Sequence, residues 1–113
     1  DWASWVLTSD VYAHVVSNWF EHPPWKDEAT YWRQSPLSLV NNVTTPTLVI
    51  DGDRDLRTTL GQAEEFYQAL QLHNVPTALM VIPGASHAVF SPSQMAAQMS
   101  AILAWFERYK HAE

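Results

Sequence analysis

The stretch Thr45-Pro46-Thr47-Leu48-Val49-Ile50-Asp51-Gly52-Asp53-Arg54-Asp55-Leu56-Arg57 opens as an apolar run and closes as an acidic turn. From Pro46 to Ile50 the side chains are leucine or β-branched with no polar alternation, which predicts a strand covered on both faces, as in a parallel sheet. Thr77 to Ile82 repeats the pattern and breaks at Pro83-Gly84-Ala85-Ser86-His87. Between the two runs, Gly61 to Leu72 has helical spacing, with Ala63, Phe66, Tyr67 and Leu70 on one stripe. Asn74 followed by Pro76 closes that helix. Strand, helix, strand is the signature of an α/β architecture, and it brings both strand ends to one edge of the sheet.

That edge collects the chemistry. Asp51, Asp53 and Asp55 crowd the first turn, and taken singly each is more often a turn residue bonded to nearby backbone than a functional one. His87 taken alone is more often a solvated or structural histidine. The pair is more informative than either member: His87 follows Asp55 by 32 residues, with one helix and one strand between. An aspartate at one strand end can orient the imidazole at the next and stabilise its charged form, while the other ring nitrogen takes a proton from a nucleophile. His14, His22, His73 and His111 have no carboxylate placed in this way. The alternating acids do not make an EF-hand calcium loop, which needs a glycine at its sixth position and a glutamate at its twelfth. No metal and no cofactor is expected.

The flanks are helical. Residues 1–34 hold Trp2, Trp5, Tyr12, Trp19, Phe20, Trp25, Tyr31 and Trp32. This aromatic cluster reads first as core and interface packing, and second as the wall of an apolar substrate pocket. Thr8-Ser9-Asp10 predicts the start of a helix that Pro23-Pro24 ends. Lys26 to Gln34 predicts a second short helix, stopped at Ser35-Pro36. A loop with one helical turn spans residues 35–44. Ser91-Pro92-Ser93-Gln94 has capping-box spacing ahead of a helix to about Tyr109, whose Met95, Met99, Ile102, Leu103 and Phe106 read as core. Arg57 reads as a structural ion-pair partner or an anchor for a substrate carboxylate.

Composition removes several classes of function. The chain has 113 residues, is 47% hydrophobic with six tryptophans, and carries a formal charge of −6. So aromatic a chain is not disordered, and scattered basic residues offer no stripe for nucleic acid. No apolar run approaches the roughly 20 residues that cross a bilayer. The opening residues lack the basic region and apolar core of a signal peptide. With no cysteine there is no disulfide, thiolate metal site or cysteine nucleophile, and a reducing, cytoplasmic setting is expected. Two strands also leave an apolar edge open. The rest of a larger domain, or a second chain, is expected to complete the sheet, and an uncovered edge would favour a homo-oligomer.

Ser35-Pro36-Leu37, Thr45 to Ile50, Gly52-Asp53-Arg54-Asp55-Leu56-Arg57, Gln62-Ala63-Glu64 and Ser86-His87, in this order, resemble the C-terminal part of the prolyl oligopeptidase family, the acylaminoacyl-peptidase branch above all. Asp1-Trp2, Thr8-Ser9-Asp10, Pro24-Trp25, Tyr31 and Trp105-Phe106 extend the resemblance over nearly the whole chain. It implies the C-terminal portion of an α/β-hydrolase domain in which Asp55, the acid two before Arg57, orients His87 as general base. It also implies a serine nucleophile in a Gly-x-Ser-x-Gly elbow upstream of Asp1, a β-propeller further upstream, and peptide substrates that are short or N-blocked. Two departures stand out. Thr58-Thr59-Leu60 follows the arginine where the family usually has Val-Pro, and Ser86 precedes the histidine where glycine is frequent.

The expectation is therefore that residues 1–113 are a fragment of a serine peptidase, supplying the aspartate and histidine of its triad and inactive alone for want of the nucleophile. An esterase or lipase with the same triad is the alternative enzyme. A truncated, non-catalytic fragment or interaction module is the alternative of another kind.

Overall fold

The computed structural model describes residues 1–110, so His111 lies outside the described residues. The chain opens with three short helices: α1 (Trp2–Thr8), α2 (Tyr12–Asn18) and α3 (Glu28–Gln34). They close on a small core of Val6, Val15, Phe20 and Tyr31, with Phe20 and Tyr31 stacked at 3.9 Å between ring centroids. Trp2 meets Trp5, Trp19 and Phe20 edge-on around that core. Large rings supply the apolar area that seven-residue helices need to hold together.

α1 has no counterpart in the sequence reading. Its cap is the first residue, Asp1, whose carboxylate accepts from the Ala3 N–H at 2.8 Å. Thr8-Ser9-Asp10 likewise does not cap α2, whose N-cap is Val11, without a side-chain bond. Those polar groups are used at longer range. Ser9 Oγ donates to the Arg57 carbonyl at 2.8 Å, the Asp10 N–H donates to the Leu56 carbonyl, and the Asp10 carboxylate holds Arg57. α3 starts two residues later than predicted because Asp27 is its cap, accepting from the Thr30 N–H.

After a 3-10 segment over Pro36–Asn42 come β1 (Thr47–Gly52), α4 (Leu60–Leu72), β2 (Thr77–Ile82) and α5 (Pro92–Tyr109). β1 and β2 are parallel and in register from Thr47 opposite Thr77 to Gly52 opposite Ile82. α4 packs on both strands and buries Ala63 and Leu70 completely or nearly so. Its end is a full Schellman motif: the Asn74 N–H donates to Gln71, the Val75 N–H to Leu70, and Asn74 takes the left-handed conformation at φ 59°. That geometry delivers the chain straight into β2.

Two expectations fail here for one reason. The strands are half-buried along most of their length instead of covered on both faces. On α5, Met95, Met99, Leu103 and Phe106 are exposed rather than core, Phe106 at 68%. A sheet of two strands is too narrow to cover a five-turn helix, so the apolar stripe extends beyond it. The capping box of α5 also does not close. Gln94 donates to the Pro83 carbonyl at 2.8 Å, and Ser91 pairs with Ser93.

Candidate active site

The site stands where β1 and β2 end side by side. Gly52 is required there, because a Cβ on it would lie 2.2 Å from the Ala85 carbonyl oxygen. This close approach lets the two loops lock together. The Arg54 N–H donates to the Ala85 carbonyl at 3.0 Å, the Asp53 N–H to the Ile82 carbonyl at 3.3 Å, and the Gly84 N–H to Asp53 Oδ1 at 2.7 Å. Gly84 has φ +72°, a turn conformation that glycine adopts without strain.

Asp55 sits inside the turn that follows β1. Its Oδ1 accepts from the N–H groups of Arg57 and Thr58, each at 2.8 Å, and its Oδ2 lies 2.8 Å from His87 Nδ1. Burial opposes ionisation of this carboxyl, but the bonds from the Thr58 N–H, His87 and the Arg57 N–H outweigh it and hold Asp55 below its ordinary value. The aspartate is thus a fixed anion. His87 is the open partner, its side chain 58% exposed against 6% for Asp55. With Nδ1 on the carboxylate, Nε2 is the nitrogen left to exchange a proton with a group arriving from outside. Asp55 and His87, the two residues singled out from the sequence, are therefore brought together.

The neighbouring acids have separate duties. Asp53 is the loop clamp just described. Asp51 belongs to β1 and not to the turn; its Oδ1 accepts from the Gly52 N–H, while its Oδ2 is buried without a partner. Burial, reinforced by the charge of Asp55, pushes this carboxyl up. Arg57 forms the expected ion pair, its Nε 2.7 Å from Asp10 Oδ1 on the surface. Among the other described histidines, His73 Nε2 lies 3.1 Å from the Asn41 carbonyl, and His14 lies beside Asn18. Among the described residues no group of three or more His, Cys, Asp or Glu is placed to hold a metal ion.

A cavity of about 420 Å³ opens at the pair, lined by Asp55, His87, Ser86, Thr58, Gln62 and Phe66 among others. Beside it lies a second, of about 410 Å³, walled by Trp2, Trp5, Trp19, Pro36 and Leu37. Thr58, Gln62 and Phe66 line both, so the two spaces adjoin. The aromatic segment therefore supplies a cavity wall as well as a core. The sequence reading missed the tether that puts the wall there, formed by Ser9 and Asp10.

The profile of the prolyl oligopeptidase family, Peptidase S9, matches residues 1–112. The chain belongs to the prolyl oligopeptidase family. Members are serine peptidases, and the chain is 33% identical over 113 residues to the uncharacterized peptidase YuxL of Bacillus subtilis, a match covering 96% of this chain and 17% of that protein. It is 30% identical over 90 residues to dipeptidyl-peptidase 5 of Schizosaccharomyces pombe, covering 80% of this chain and 13% of that one. The solved structure of Pyrococcus horikoshii acylaminoacyl peptidase superposes with a TM-score of 0.89 and 25% identity, over 99% of this chain and 19% of its own. The fold is accordingly that of the α/β-hydrolases, and the chain spans less than a fifth of the length of these relatives.

Residues 58–60, where the chain departs from the family's usual Val-Pro, keep the turn closed. The Thr58 N–H still reaches Asp55, and Thr59 Oγ1 lies 3.0 Å from Thr8 Oγ1, so the turn is tied to α1.

Proposed function

We propose that this chain is the C-terminal segment of a serine peptidase that hydrolyses short or N-blocked peptides, in which Asp55 and His87 work with a serine upstream of Asp1. The observation that carries this reading is the 2.8 Å bond between His87 Nδ1 and Asp55 Oδ2, made by an anionic, buried carboxylate and an exposed ring. His87 Nε2 takes the serine proton as the hydroxyl oxygen attacks the peptide carbonyl, and Asp55 steadies the imidazolium at Nδ1. The same proton passes to the departing amine, leaving an acyl-serine that water cleaves by the reverse sequence. The adjoining cavity of Trp2, Trp5, Trp19 and Leu37 suits an apolar or aromatic side chain of the acyl residue.

The test is made in the intact enzyme that contains this chain. His87→Ala and Asp55→Asn are each expected to lower turnover by roughly three orders of magnitude or more. Near-parental turnover in either variant would sink the assignment. A panel of N-acetylated amino acid amides, free dipeptide amides and simple esters decides the substrate class. Cleavage of the blocked amides is expected; cleavage confined to esters would make the protein an esterase. The chain by itself is expected to hydrolyse none of them.

A further inference from the structure

Among the described residues, Asp51 Oδ2 is the buried side-chain oxygen without a hydrogen-bond partner. A turn aspartate would keep that oxygen in water or, as Asp55 does, on hydrogen-bond donors. Asp51 instead stands one residue before the end of an apolar strand, opposite Val81, whose side chain has no donor to offer. Its position matters because it lines the cavity that holds Asp55 and His87. The other elements around this cavity contribute no further charge. α4 offers Gln62, Ala63 and Phe66, α5 offers Gln98, and β2 offers Ile82. The titratable groups facing the cavity are thus Asp51, Asp55 and His87. Asp55 has its hydrogen bonds filled by the turn and the imidazole, whereas Asp51 has one oxygen to spare and nothing local that needs it.

We propose that Asp51 is a positioning residue for the Asp55–His87 pair, a second carboxylate whose charge, acting across the cavity, favours the imidazolium that forms when His87 takes a proton. This rests on the hydrolase reading above. An anion near an imidazole stabilises its protonated form, and the burial of Asp51 Oδ2 leaves less water on that side to screen the attraction than there is in bulk. Asp51 is also harder to ionise than an ordinary aspartate, through burial first and the charge of Asp55 second. Its support for His87 is therefore withdrawn as the pH falls through its raised value.

The experiment is the pH dependence of kcat/KM for an N-acetyl aminoacyl anilide in the intact enzyme, comparing the parent with Asp51→Asn. The amide keeps the shape of the side chain and an oxygen for the Gly52 N–H, but removes the charge. The acid limb is expected to move down by about half a pH unit, with kcat reduced roughly three- to tenfold and KM unchanged. Loss of activity with an unmoved acid limb would overturn the proposal, because a purely structural role lowers kcat without shifting the limb. An unchanged profile would overturn it as well. Asp51→Ser removes the same charge from a smaller side chain and is the second variant if the amide does not fold. His87→Ala and Asp55→Asn are assayed alongside. If these remain active the hydrolase reading fails, and the role of Asp51 with it; if they are inactive and the limb of Asp51→Asn does not move, the role of Asp51 alone fails.

Discussion

Asp55 and His87 share one hydrogen bond but stand in opposite surroundings. The carboxylate is enclosed by its own turn, with 6% of its side chain exposed and two backbone N–H groups on the oxygen that the imidazole does not use. The imidazole is 58% exposed and is held in place by the clamp between the Asp53 and Gly84 loops. The difference separates what this chain completes from what it leaves open. Apart from the imidazole bond, everything that fixes the acid lies within residues 52–58, whereas the free face of the imidazole opens on the cavity. The same asymmetry recurs on a larger scale. α4 is covered by the two strands of its own chain, whereas α5 displays Met99, Leu103 and Phe106 to solvent.

The largest stability effect should fall on the enclosed end. Asp55→Ala strands the N–H groups of Arg57 and Thr58 and is expected to cost about 2–3 kcal/mol, since bonds to a buried charge are among the stronger ones. His87→Ala removes an exposed ring and should cost less than about 1 kcal/mol. Urea unfolding of the intact enzyme measures both. Equal losses would mean that the two ends are equally structural, and the comparison would break.

Next in size is Gly52→Ala. Its methyl group would need space already taken by the Ala85 carbonyl, which is backbone and cannot swing aside. Separating the loops is expected to cost about 1–3 kcal/mol and to reduce turnover together with stability, because the same contact holds His87 against Asp55. An alanine variant with parental turnover and unfolding midpoint would show that the loops are not clamped here.

How much of this was legible beforehand depends on how local the signal is. β2 and α4 were read to within a residue, because an apolar run, Asn74 and Pro76 mark their limits on the spot. The Asp55–His87 pairing is legible because parallel topology brings the two strand ends together and the family resemblance picks Asp55, two before Arg57, from three acids. Asp51 was not: a strand-end aspartate and a turn aspartate look alike until the backbone shows which of them is shut away. The Met95–Phe106 stripe was read correctly as apolar and wrongly as core, since amphipathic spacing shows that a face needs cover without showing what supplies it. Ser9, Asp10 and Gln94 carry cap-type side chains, yet they bond to Arg57 and Pro83, partners that spacing along the chain does not reveal.

The smallest effect is the most discriminating, because an acid in β1 and an acid in the turn after it should respond to pH with opposite signs. Asp55 is held below its ordinary value of 3.8, so its contribution to stability is present above that pH and is lost as the pH falls through the lower, folded value. Asp51 is raised above 3.8, so its contribution is present below that pH and is lost as the pH rises through the higher, folded value. Relative to the parent, Asp51→Asn is therefore expected to gain stability on going from acid pH to neutrality, whereas Asp55→Asn should match the parent at acid pH and fall below it as the pH rises to about 4 and beyond. Paired unfolding curves across that range would show two difference profiles bending in opposite directions. If both bent the same way, Asp51 would be an ordinary solvated carboxylate, and the enclosed end of the site would hold one acid instead of two.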